Sequence, residues 1–153
     1  MASALDVAEY MLIRASKEEE YDPISNMKLQ KLCYYALGIY SKLTKGKRLF
    51  KENIEAWQHG PVVREVYLAY KDKGRFLTPA KDYDELKLTK KENEALDMTY
   101  LNYSQFSAWR LREMTHNEDP WKLNYKENKK EVIPFEDIRD YFDKKVKFLD
   151  EEN

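Results

Sequence analysis

Cysteine is nearly missing from this sequence. Cys33 stands alone, so no intrachain disulfide can form, and the disulfide frameworks of small secreted domains are excluded. Glycine is scarce at 4 residues and proline at 5, too few for the many turns of an all-β domain. No apolar run approaches the ~20 residues of a membrane span. The N-terminus carries acids early and lacks the apolar stretch of a signal peptide, so no membrane role and a cytoplasmic location are expected. An excess of one charge is missing too: 27 Lys and Arg face 28 Asp and Glu. A sequence-independent nucleic-acid binder would show a basic excess, so nucleic acid is not the expected partner. Lys42, Lys45, Lys47 and Arg48 form the best local basic cluster. Lys42 and Lys45 read better as cations complementing a helix C-terminus.

What is present suits a helical protein. The 153 residues fit one domain, taken as 1–153, that can bury a core without disulfide or metal staples. Tyrosine is abundant at 12 residues; its apolar ring and polar tip serve core edges and binding surfaces alike.

Apolar periodicity predicts a mainly α domain of about six to seven helices, with room for a two-stranded ribbon. Ser3 and Asp6 make a capping-box start for a first helix, with Leu5, Ala8, Leu12 and Ala15 on one face. The run Glu18 to Glu20 and Asp22-Pro23 ends it. Ser25 or Asn26 caps the clearest helix, about 26 to 45. Its stripe runs through Leu29, Leu32, Cys33, Ala36, Ile39, Tyr40 and Leu43 to a C-terminal Gly46. Ile54 to Trp57 reads as a short strand or an extended turn; as a strand it would pair with an edge strand at Tyr83 to Leu88. Pro61 reads as the first residue of a helix bearing Val63, Val66, Tyr67 and Tyr70 and stopped by Gly74. Thr89 and Glu92 form a second capping box for a helix to about Leu101. Ser104 or Ser107 caps the next, with Trp109, Leu111 and Met114 inside it. Pro120-Trp121 opens a short turn. Phe135, Ile138, Phe142, Val146 and Leu149 make a terminal amphipathic helix.

Catalytic patterns are weak. The two histidines, His59 and His116, lack HExxH-like spacing and have no second His or Cys nearby, so a metal site with three or four convergent ligands is not expected. Cys33 falls on a face read as buried, which suits an inert thiol better than a nucleophile. Neither the P-loop pattern nor GxGxxG occurs. No cofactor and no enzymatic activity are expected. Trp57, Trp109 and Trp121 read as core aromatics ahead of base-stacking platforms.

Three segments carry a family signal. The first runs Ile24-Ser25-Asn26-Met27-Lys28-Leu29-Gln30-Lys31-Leu32-Cys33-Tyr34-Tyr35-Ala36. The second is Leu49-Phe50, then Ile54-Glu55-Ala56-Trp57-Gln58-His59-Gly60-Pro61-Val62-Val63, ending at Val66-Tyr67. The third spans Leu111 to Trp121, with Thr115-His116 and Pro120-Trp121. In order and spacing they resemble the Panacea (SocA-like) antitoxin domain. Cys33 stands where Leu is common and His59 where an aromatic is common. The resemblance implies an antitoxin of a type II toxin–antitoxin system that neutralises a cognate toxin by direct binding. It also implies an alternative: an adaptor that delivers the toxin to a AAA+ protease of the ClpXP type, or a phage- or prophage-encoded interaction protein.

Physically, the motif residues read as scaffold. Asn26 is expected to cap its helix, with Leu29, Leu32 and Ala36 in the core and Lys28 and Lys31 on a shared outer face. Glu55, Val62 and Tyr67 complete the middle motif. Trp57 anchors an extended segment, Gly60 turns the chain, and Pro61 sets a helix entry. Thr115 and His116 are expected to bond backbone near Pro120-Trp121. Partner contacts are then expected outside the motifs.

Overall fold

A computed structural model describes residues 1–20 and 22–147. Among them, helices α1 (Ala4–Ser16) and α2 (Asn26–Leu43) precede strands β1 (Ile54–Trp57) and β2 (Gly60–Val62). Then come α3 (Arg64–Tyr70), α4 (Tyr83–Leu86), α5 (Lys90–Tyr103), α6 (Ala108–His116), α7 (Asp119–Asn124), β3 (Glu131–Ile133) and α8 (Phe135–Lys145). The expected mainly helical class is what forms.

The helix α2 is the axis of the domain. It is buried nearly all round, from Lys28 to Ser41, because α1, α5, α6, α8 and β2 all pack on it. Leu29, Leu32 and Cys33 are fully buried, as their spacing implies. Gly38 lets α8 approach: a Cβ there would stand 2.4 Å from the Phe142 ring. Ser25 caps α2 by accepting from the Lys28 amide at 3.2 Å. Asn26 does not cap, because it is already the first helical residue. The helix ends in a Schellman motif, with the Gly46 amide donating to the Ser41 carbonyl at 2.8 Å. Lys45 takes the left-handed position, so Gly46 lies one residue further out than expected.

Both capping boxes form, at Ser3–Asp6 and at Thr89–Glu92. The helix α1 stops at Ser16, ahead of the acidic run. Its buried face is wider than expected: Ala8, Leu12 and Ala15 are buried as read, Val7, Met11 and Ile13 are buried as well, and Leu5 is exposed. Buried Glu9 ties α1 to the loop before α4, accepting from Tyr70 and from the Ala80 and Lys81 amides at 2.7 Å.

The sheet differs from the expected ribbon. Its order is β2-β1-β3, all antiparallel. Tyr83 to Leu86 is a helical turn rather than β1's partner, closed by an Asp82–Glu85 capping box. Pro61 lies within β2, and α3 starts at Arg64 after the chain has paired back on β1. Trp109 is 56% exposed, against expectation. The short helix α6 buries Leu111 and Thr115, and Trp109 lies about 200° round the helix from Leu111. Leu149 of the terminal stripe lies outside the described residues. No described helix is long and apolar enough to cross a membrane.

Candidate functional site

The three sequence motifs meet in space. The first lies on α2, the second on β1, β2 and α3, and the third on α6 and α7. Gln30 joins the first two: its Oε1 accepts from the Val63 amide at 3.0 Å, and its Nε2 donates to Asn26 Oδ1 at 2.8 Å. Asn26 passes the connection on, its Nδ2 donating to the Tyr67 carbonyl at 3.2 Å. A buried amide with no acceptor would be costly, so Gln30 holds β2 on α2.

Lys28 and Lys31 share a face, but that face is inside. Spacing of three does place them together; α6 and the strand turn then close over them. Lys28 donates to the Ser104 carbonyl at 2.6 Å. Lys31 is 1% exposed, and its Nζ reaches the Pro61 carbonyl at 3.4 Å. Burial lowers the Lys31 ammonium to about 7, and the nearby Arg112 charge adds to the effect. The β1–β2 turn leaves room for Lys31 only because residue 60 is glycine. A Cβ on Gly60 would stand 2.5 Å from Lys31 Cε and 3.0 Å from Thr115 Oγ1, and φ there is +117°.

A second interior charge lies one turn beyond Thr115. Glu118 accepts from the Tyr34 and Tyr35 hydroxyls at 2.8 and 2.7 Å. Burial raises its carboxyl to about 7, and the two hydroxyls pull the other way. Sequence reasoning missed this trio. Its signal was present, since Tyr34-Tyr35 lie within the first motif and Glu118 lies between His116 and Pro120 of the third.

The sheet and α7 are joined through aromatics. The Trp121 indole donates to the Trp57 carbonyl at 2.7 Å. His116 stacks on Trp121 at 3.8 Å, and Trp121 on Tyr125 at 4.5 Å. Thus His116 packs on the Pro120-Trp121 turn by stacking, while the Thr115 hydroxyl donates to the Arg112 carbonyl of its own helix at 2.9 Å. Burial, then Arg112 and Lys31, lower the His116 pKa. Trp57 also donates to Glu55 at 2.9 Å, and Glu55 holds Arg64 at 2.8 Å.

The outer side of this cluster is aromatic and basic. Arg112 donates from Nε to His59 Nδ1 at 2.9 Å and lies over the Trp109 ring at 4.5 Å. Across the turn, Trp57, Gln58 and Tyr125 line an open groove of ≈ 660 Å³. Among the described residues no group of three or more His, Cys, Asp and Glu is placed to hold a metal. The Cys33 thiol is fully buried, and burial pushes it up to about 12, which suits a core thiol and not a nucleophile.

Comparison with known proteins points the same way as the motifs. Residues 29–122 match the family model described as antitoxin SocA-like, Panacea domain. Antitoxin SocA of Caulobacter vibrioides (strain NA1000 / CB15N) is 29% identical over 120 residues, covering 66% of this chain. The matched part spans 60% of that relative's length. No solved structure matches the chain significantly.

Proposed function

The chain belongs to the SocA-like, Panacea-domain antitoxin family, and from that membership we propose that it is an antitoxin that neutralises a toxin by binding it directly. The observation that carries this reading is the family match over residues 29–122, which contains most of the interlocked motif network. The burial of that network supports a division of labour. Gln30, Lys31, Pro61, Val62, Thr115 and Pro120 are buried and hold α2, the sheet and α6–α7 together. Contact with a partner then falls to side chains exposed around this frame. Such an arrangement lets the outer surface vary with the partner while the frame stays constant. Binding, and not catalysis, is the activity we assign.

The test is co-expression with the product of the reading frame adjacent to its gene. The reading expects that product alone to arrest growth, growth to return with this chain, and the two proteins to purify as a stoichiometric complex. Rescue accompanied only by a shortened toxin lifetime would show delivery to a protease instead of occlusion. No rescue and no complex would remove the antitoxin reading.

A further inference from the structure

Arg112 differs from the other arginines of the sheet side and of α6. Arg64 has Glu55 at 2.8 Å, and Arg110 has Glu113 at 3.9 Å. Among the described residues no carboxylate pairs with Arg112; its contacts are His59 Nδ1 and the Trp109 ring. Its Nε is used by His59, and among the described residues neither Nη group has a protein acceptor. The side chain is nonetheless held in place by a hydrogen bond on one side and an indole below. An arginine fixed in this way loses little freedom on gaining a bidentate anion.

Its surroundings add positive character through one buried lysine. Lys31 lies behind it, buried, with one long bond to a carbonyl. His116 Nε2 is buried and has no hydrogen-bond partner. Two acidic groups of the motif network are otherwise engaged, Glu118 by Tyr34 and Tyr35 and Glu55 by Arg64 and Trp57. An anion brought to Arg112 would meet the guanidinium directly and favour the charged form of Lys31 behind it.

We propose that Trp109, Arg112 and His59 form the docking surface for the partner, and that Arg112 receives a carboxylate from an acidic segment of that partner protein. This rests on the antitoxin reading. Trp109 is 56% exposed, and Trp and Arg are both enriched among the residues that carry most protein–protein binding energy. The patch continues through Gln58, next to His59, into the groove lined by Trp57 and Tyr125. A phosphate backbone would need several cations in a row; the groove does carry Lys129 and Lys130, but Glu127 stands among them and the whole chain has net charge −1.

The experiment uses the full chain and the purified product of the adjacent reading frame. Arg112→Glu and Trp109→Ala are compared with Arg110→Glu on the same helix, each first checked for an unchanged thermal melt. Arg112→Glu is expected to weaken the complex about 100-fold or more, and Trp109→Ala about 30-fold. Arg110→Glu should stay within about threefold of the parent. Double-mutant cycles of Arg112→Ala with Asp→Asn and Glu→Gln changes in the partner should find one carboxylate whose effect is lost in the Arg112→Ala background. A folded Arg112→Glu that binds and protects like the parent overturns the docking surface and leaves the antitoxin reading intact. Absence of any coupled carboxylate overturns the acidic-segment assignment. Tight Arg112-dependent binding to a short single-stranded DNA, with none to the protein, overturns it in favour of nucleic acid. A parent chain that neither binds nor protects removes the antitoxin reading, and the docking surface with it.

Discussion

Lys31 lies across Gly60 so closely that a methyl group on that glycine would meet Lys31 Cε at 2.5 Å. The contact ties the central helix to the strand turn.

Gly60→Ala is therefore expected to be costly. It adds a clash and requires a left-handed φ of +117° from an L side chain. The loss should be about 2 kcal/mol or more, read from urea denaturation. Much of the steric part should disappear in a Lys31→Ala background, since the obstructing atom is then gone.

Gln30→Leu is expected to cost about 1–3 kcal/mol, because the buried Val63 amide loses its acceptor. Gln30→Glu keeps the acceptor but loses the donor to Asn26 Oδ1 and buries a carboxylate, so it should not recover the loss. A Gln30→Leu variant as stable as the parent would contradict the role given to Gln30.

Two interior charges give opposite pH slopes. Lys31 is lowered from 10.5 to about 7 in the fold. Between those values the unfolded chain binds more protons, so the Lys31 contribution makes stability rise with pH. Glu118 is raised from 4.5 to about 7. Between those values the folded chain binds more protons, so its contribution makes stability fall as pH rises. Lys31→Met should flatten the curve from pH 7 to 9, and Glu118→Gln should flatten it from pH 5 to 7. Denaturant midpoints at each pH check both.

Phe142→Ala should cost about 3–5 kcal/mol. Phe142 is fully buried, packs edge-on to Tyr34 at 5.6 Å, and fills the space above Gly38. A thermal melt of the variant against the parent checks this directly.

Much of the fold was legible because its signals are local. Ser3–Asp6 and Thr89–Glu92 are reciprocal caps made within four residues, and the stripe of α2 follows helical period. Asp82–Glu85 carried the same capping signal for α4, and the loose alternation of Tyr83 to Leu88 hid it. What escaped depends on distant chain. The second partner of β1 is Glu131–Ile133, too far along to read from pattern. The spacing of Lys28 and Lys31 correctly placed them on one face, but whether that face meets water depends on α6, Ser104 and the Gly60-Pro61 turn closing over it. The motif segments themselves were visible in sequence. Their convergence, and the tie between Trp57 and Trp121, required the fold.

The most direct test is the stoichiometry of the complex with the adjacent gene's product during rescue. Size-exclusion chromatography with light scattering of the co-expressed pair should give one species containing both chains in fixed ratio, from cells whose growth is restored. Restored growth with the two proteins eluting separately, the toxin intact and still active, would contradict neutralisation by direct binding.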